Sequence, residues 1–200
     1  MQAPDPAKQA LRKQLLRLRR ELTQIEERSA ALTRHLLEHP LWQSARGVAA
    51  FVGVRNEPDT AELLEQSVAA GKVVWLPRLT GPGLMRFWPC ADFSTLEPGK
   101  MGLREPPIVE EGVVAPGPEH EVDLVLVPGL GFGRDGARIG FGAGHYDRAL
   151  GTRRGAAKPV LCGVCFSEFL DPFGEQVPMV EHDVPMHYVV TEAGVERCGA

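Results

Sequence analysis

Near the start of the chain the apolar positions recur at alternating spacings of four and three: Leu11, Leu15, Leu18, Leu22 and Ile25, with Leu32 and Leu36 continuing the stripe. That period predicts one long amphipathic helix over roughly residues 8–38. The spacing also suits a coiled coil, but only about four heptads are available, which favours packing on the domain's own core. After Gly47 the period changes. Val48–Val54 is a short apolar run with the character of a strand. Lys72–Pro77, Val122–Pro128, Val160–Phe166 and His187–Thr191 repeat it, and Met85–Trp88 is a shorter candidate. Between the first two runs, Asp59-Thr-Ala-Glu62 reads as a capping box opening a helix to about Ala70, with Gly71 as its stop. Strand, helix, strand in that order implies parallel pairing through a crossover. Residues 80–121, rich in Gly and Pro, read as loops around the Met85–Trp88 strand. The expected architecture is a single α/β domain over residues 1–200, with a mainly parallel sheet and helices on its faces.

Composition agrees with this pattern. A chain of 200 residues and 21.8 kDa, 44% hydrophobic and 24% charged, has the make-up of one globular domain and not of a disordered segment. No apolar stretch approaches the ~18 residues of a membrane span. Met1–Lys8 is polar and lacks an apolar h-region, so a cytoplasmic location is expected, with no membrane partner. The net charge of −4 is uneven: residues 1–46 hold nine Lys/Arg against five Asp/Glu. A globally acidic chain is a poor nucleic-acid binder. The basic stretch is therefore a solvated helix face or a local anion site. Cys162-Gly-Val-Cys165 has the spacing of a metal or redox pair. Its flanks read as a strand, however, in which residues i and i+3 point to opposite faces. Two buried, chemically inert thiols are the expectation.

The densest chemical signal follows the run at Val122–Pro128. It reads Arg138-Ile-Gly140-Phe-Gly142-Ala-Gly144-His-Tyr-Asp147, leading into a short helix over His145–Leu150. Alternating glycines let successive backbone N–H groups turn into one concavity, and an arginine beside them can add a bidentate phosphate contact. The pattern lacks the Gly-Lys-Ser/Thr of a Walker loop and the dinucleotide GxGxxG. A tight structural turn is the alternative. Asp147 stands where a bound phosphate would be repelled unless a magnesium ion lay between them, and Asp183 is a second acid near a later strand. Lys8 and Arg12, one turn apart at the start of the first helix, oppose its dipole and each other. A phosphate ligand would account for them, and so would a solvated basic face. Glu57 lies after the first strand, at the edge where open α/β sheets bind ligands.

Taken together and in order, these pieces resemble the 5-formyltetrahydrofolate cyclo-ligase family. The resemblance covers roughly residues 8–194, from Lys8-Gln-Ala-Leu-Arg12 through Leu76-Pro77, Glu105-Pro106 and Val127-Pro128-Gly to Arg138–Asp147, His182-Asp183 and Val190-Thr-Glu192. It implies a three-layer fold like that of ribose-phosphate isomerases and coenzyme A transferases. It also implies the ATP- and Mg2+-dependent conversion of 5-formyltetrahydrofolate to 5,10-methenyltetrahydrofolate, with a monomer as the expected state. By motif, Lys8, Gln9, Ala10, Leu11 and Arg12 would hold ATP together with Arg138, Ile139, Gly140, Phe141, Gly142, Ala143, Gly144, His145 and Tyr146. Lys8, Arg12 and Arg138 would carry the catalytic charge. Val52 and Glu57 would contact the folate, Phe141–His145 would meet both ligands, and Asp147 and Asp183 would bind the metal. The family's common Tyr-Tyr-Asp reads His145-Tyr146-Asp147 here.

Overall fold

The structure is a computed structural model that describes residues 5–109 and 112–199, apart from the side chain of Met101. Met1–Pro4, half of the polar N-terminal segment read above, and Ala200 lie outside the described residues. In chain order the principal elements are α1 (Pro6–Arg20), α2 (Ile25–Glu38), α3 (Pro40–Gln43), β1 (Gly47–Ala49), α4 (Ala61–Ala69), β2 (Val73–Gly81), β3 (Leu84–Pro89), β4 (Leu124–Pro128), α5 (His145–Leu150), β5 (Val160–Val164), β6 (Tyr188–Thr191) and β7 (Gly194–Arg197). The seven strands form one sheet in the order β7-β6-β5-β4-β1-β2-β3. Its five inner strands, β6 to β2, pair in parallel; β3 and β7 close the edges antiparallel. This is a mixed α/β domain with a mainly parallel sheet, as the strand-helix-strand pattern predicts. No helix among the described residues is long and apolar enough to cross a membrane.

Alternation along β4 divides the interior in two. Val125 and Val127 face one core with Leu11, Leu15, Phe87, Phe132 and Leu150. Leu124 and Leu126 face the other with Leu32, Leu36, Val48, Leu63 and Leu64. Helix α1 therefore covers one face of the sheet and α2 the other. The continuous helix expected over 8–38 is interrupted for this reason. One straight helix cannot lie on both faces. The stripe is real, but the chain leaves α1 at Glu21, turns through Gln24 in the left-handed region (φ 56°), and re-enters helix at Ile25. Arg28 then fastens α2 across the ends of the inner strands. Its guanidinium lies 4.4 Å over the Phe166 ring and pairs with Glu168 and Glu192.

Two further local readings are corrected. The first strand ends at Ala49, not Val54. Phe51–Val54 peels away because the next turn is tight. A Cβ on Gly53 would sit 2.2 Å from the Pro58 carbonyl, and Arg55 and Asn56 both take left-handed backbone. The capping box at Asp59–Glu62 does not close either. Asp59 accepts from the Ala61 N–H at 2.9 Å, but its own N–H donates to the Ser29 hydroxyl of α2 rather than to Glu62, which is exposed. A long-range contact has replaced the local one. The cysteine expectation holds: Cys162 and Cys165 are free and buried, with burial pushing both thiols upward from their usual range.

Leu15 is fully buried between α1 and the sheet, beside Gly131. Leu15→Ala should cost about 2–5 kcal/mol of unfolding free energy. Denaturant titration read by far-ultraviolet circular dichroism measures it, with an unchanged transition slope as the mark of an intact native state.

Candidate active site

In the parallel part of the sheet the chain proceeds from β1 outward to β2 in one direction and from β4 through β5 to β6 in the other. The adjacent strands β1 and β4 thus form a topological switch point, where the loops leaving the carboxyl ends diverge and open a crevice. A cavity of about 620 Å³ lies there. Its walls come from Phe51, Val52 and Val54 after β1, Pro77 and Leu79 of β2, Met85 of β3, Pro128 at the end of β4, and the glycine-rich segment before α5. Lys8 and Arg12 reach it from α1.

The glycine segment is shaped by two of its three glycines. Gly142 (φ 102°) and Gly144 (φ 65°) occupy left-handed backbone, which disfavours any side chain. Gly140 has ordinary dihedrals. There a Cβ would press at 3.0 Å on the Arg138 guanidinium, while the Gly140 carbonyl accepts from Arg12 Nε at 2.9 Å. Arg148 donates to the Ala143 carbonyl and, at 2.8 Å, to that of Gly83. Three cations, Arg12, Arg138 and Arg148, therefore stand around one short backbone loop, and Lys8 lines the same cavity.

Each of the more buried cations is paired. Arg138, 7% exposed, donates to Asp147 Oδ2 at 2.8 Å and lies over the Tyr146 ring. Lys8, 5% exposed, pairs with Asp183, whose Oδ2 also accepts from the Val180 N–H at 2.8 Å. Burial works to raise the Asp147 carboxyl's pKa, but the Arg138 guanidinium, together with the Val184 N–H and the Lys8 charge, outweighs it and holds the group below its ordinary 3.8. Burial and the nearby Arg148 charge lower the His145 imidazole's pKa, favouring its neutral form. Glu57, 7% exposed, pairs with Arg19 at 3.3 Å and accepts from the Val54 N–H at 3.1 Å. Its carboxyl is pushed up by burial, and Arg19 offsets that only in part.

Asp147 and Asp183 both line the cavity. Among the described residues no group of three or more His, Cys, Asp or Glu converges on one point. Two carboxylates beside a cationic loop fit a hard cation that keeps most of its water and borrows substrate phosphate oxygens, as magnesium does.

A model of the 5-formyltetrahydrofolate cyclo-ligase family matches residues 4–192. The chain belongs to that family. The 5-formyltetrahydrofolate cyclo-ligase of Mycolicibacterium smegmatis is 36% identical, over 92% of this chain and 93% of its own length. That of Escherichia coli K12 is 31% identical, over 88% and 96%. The solved 5,10-methenyltetrahydrofolate synthetase of Aquifex aeolicus superposes with a TM-score of 0.77 at 31% identity, covering 96% of this chain and 93% of that one. The synthetase of Mycoplasma pneumoniae, at 20% identity and a TM-score of 0.67, shares the fold.

Of the residues to which the cyclo-ligase resemblance pointed, Lys8, Arg12, Val52, Glu57, Arg138, Gly140–Asp147 and Asp183 line the one cavity. Leu11 and Ile139 turn into the core, and Gln9 and Ala10 are exposed outside the lining. The lining also includes Arg55, Arg104 and Arg148, to which no motif points. Arg148 was hidden because only the fold brings it back over Ala143 and Gly83. Arg19, one of the cations of the basic N-terminal stretch, is also buried. A signal existed. Lys8, Leu11, Leu15 and Arg19 fall on one helical face at spacings of three, four and four, which puts two cations inside an apolar stripe.

The Arg138–Asp147 pair makes a prediction about pH. A carboxyl depressed in the folded state adds stability above its unfolded pKa and loses it as pH falls. Asp147→Asn should lower the Tm at neutral pH, and the gap from wild type should close on acidification below 3.8. Thermal melts from neutral pH down to about pH 2 measure it, the gap being constant near neutrality and closing only in acid.

Proposed function

We propose that this chain converts 5-formyltetrahydrofolate to 5,10-methenyltetrahydrofolate at the expense of ATP, which leaves as ADP and phosphate. The observation that carries the reading is the union, in one cavity, of the cationic glycine loop with the apolar wall and buried acceptor formed by Val52 and Glu57. The first half suits a polyphosphate. The second suits a flat heterocycle with N–H donors.

The chemistry asks little of the protein beyond placement and charge. An amide oxygen is a poor leaving group. The formyl oxygen attacks the γ-phosphorus, ADP departs, and the carbon becomes an imidate-like phosphate ester. The N10 amine of the same folate attacks that carbon and loses its proton. The carbon–oxygen bond then breaks, releasing phosphate and leaving the methenyl bridge. Because the nucleophile belongs to the substrate, no serine or cysteine is needed. Lys8, Arg12 and Arg138 hold the phosphate oxygens, and the backbone of Gly140–Gly144 takes the triphosphate against it. Val52 and Glu57 fix the pterin, and Phe141–His145 meet both ligands. Asp147 and Asp183 would hold magnesium, which supplies neutralising charge to the phosphates when bound.

Formation of the methenyl product, followed by its absorbance, should require ATP. Turnover without ATP, or ATP binding with no folate turnover, would sink the proposal. Arg12→Ala removes one charge-assisted contact worth roughly 1.5–3 kcal/mol. The KM for ATP should rise about 10- to 100-fold, with the folate KM nearly unchanged. A magnesium titration of turnover at fixed ATP separates the role of Asp147. Asp147→Asn should need more magnesium for half-maximal rate, whereas superimposed curves would leave the residue only its pairing with Arg138.

A further inference from the structure

Arg19 lies outside the cavity wall, yet it touches three of the segments that build it. Its Nη1 donates to Glu57 Oε1 at 3.3 Å and its Nη2 to the Gly129 carbonyl, just past β4, at 2.6 Å. The guanidinium stands 5.6 Å from the centre of the Phe141 ring and 5.3 Å from that of Phe169. Its backbone carbonyl accepts from Asn56 Nδ2 at 3.1 Å. The Arg19 side chain and backbone thus both grip the 54–57 turn, in which Arg55 and Asn56 adopt costly left-handed conformations. Stability is a poor explanation for such a residue. Nε of Arg19 is buried with no hydrogen-bond partner, and a buried ion pair is commonly no better for stability than apolar side chains of the same size.

We propose that Arg19 is a positioning residue for the folate half of the site, pairing with the Glu57 carboxyl and holding it aimed into the cavity. This rests on the reading of Glu57 as the acceptor for pterin N–H groups. The groups facing Glu57 are few. Helix α1 supplies Arg19, the turn supplies Arg55, and α5 supplies Tyr146, whose phenol is itself held neutral by burial and by the Glu57 charge. Cys165 lies beyond Arg19, a thiol that burial keeps protonated. Burial already favours the neutral acid at Glu57, and Arg19 is the largest opposing influence. Without it the carboxyl takes up a proton nearer neutrality, loses one acceptor and is released from its orientation.

The test compares folate and ATP affinities of Arg19→Met, Arg19→Lys and Glu57→Gln with wild type over a range of pH. Arg19→Met should weaken folate binding about tenfold or more at pH 7 and leave ATP binding nearly unchanged. The loss should shrink as pH is raised toward about 9, where even a buried carboxyl ionises. Glu57→Gln should bind folate weakly at every pH. An unchanged folate affinity in Glu57→Gln overturns the assignment of Glu57 itself. A weakened Glu57→Gln beside an Arg19→Met whose affinity is normal, or equally poor at all pH values, overturns the role of Arg19 alone. Arg19→Lys keeps a charge but not the fork, and so guards against a Met variant that does not fold. Its folate affinity should be intermediate, and the Glu57 carboxyl 13C signal should titrate at higher pH than in wild type. Wild-type affinity and titration in the Lys variant would overturn the proposal independently.

Discussion

A parallel sheet buried on both faces is the constraint from which the remaining architecture follows. Parallel strands cannot leave a face in water as antiparallel ones can, so each strand contributes alternate side chains to two separate cores. In β4 these are Val125 and Val127 on one side and Leu124 and Leu126 on the other. Both cores need helical cover, and the N-terminal segment serves both. That single demand breaks its helix at residues 21–24 and sends Leu11 and Leu15 to one face, Leu32 and Leu36 to the other. The same topology opens a crevice where β1 and β4 diverge, and the site occupies it.

Charge is organised around that crevice by burial rather than by abundance. The chain is acidic overall, yet Lys8, Arg12, Arg138 and Arg148 all line the one cavity. The two most buried of these are each matched by a carboxylate that lines the same cavity, Asp183 and Asp147. Such pairs hold long side chains at defined positions before any ligand arrives, so ordering them is not a cost charged to binding. The pairing also explains how Lys8 can be buried at the start of a helix whose dipole disfavours it. Local repulsion is outweighed by partners brought from residues far along the chain.

The glycine loop, its flanking Arg138 and Asp147, and the short helix over His145–Leu150 were legible without a structure. Their chemistry depends on backbone freedom and on neighbours a few residues apart. The central strands were legible for a related reason: full burial requires unbroken apolar runs, and β4 and β5 are such runs. The capping box expected at Asp59–Glu62 does not form because Ser29, from another helix, takes the place of its local partner. The strand after Gly47 was overextended because the close approach of Gly53 to Pro58 has no periodic signature.

The sequence by itself determined the fold class, the family, the phosphate-type loop and the residue types that surround it, since each is written in short-range spacing or in an ordered set of motifs. Tertiary structure alone decided which cations are buried and which carboxylates they meet. Lys8 and Asp183, like Arg19 and Glu57, are distant in the chain, and helical periodicity cannot tell a solvated arginine from one enclosed by two aromatic rings and an acid. Burial and pairing of charge depend on which elements the sheet's two faces bring together, and that is settled only when the whole domain packs.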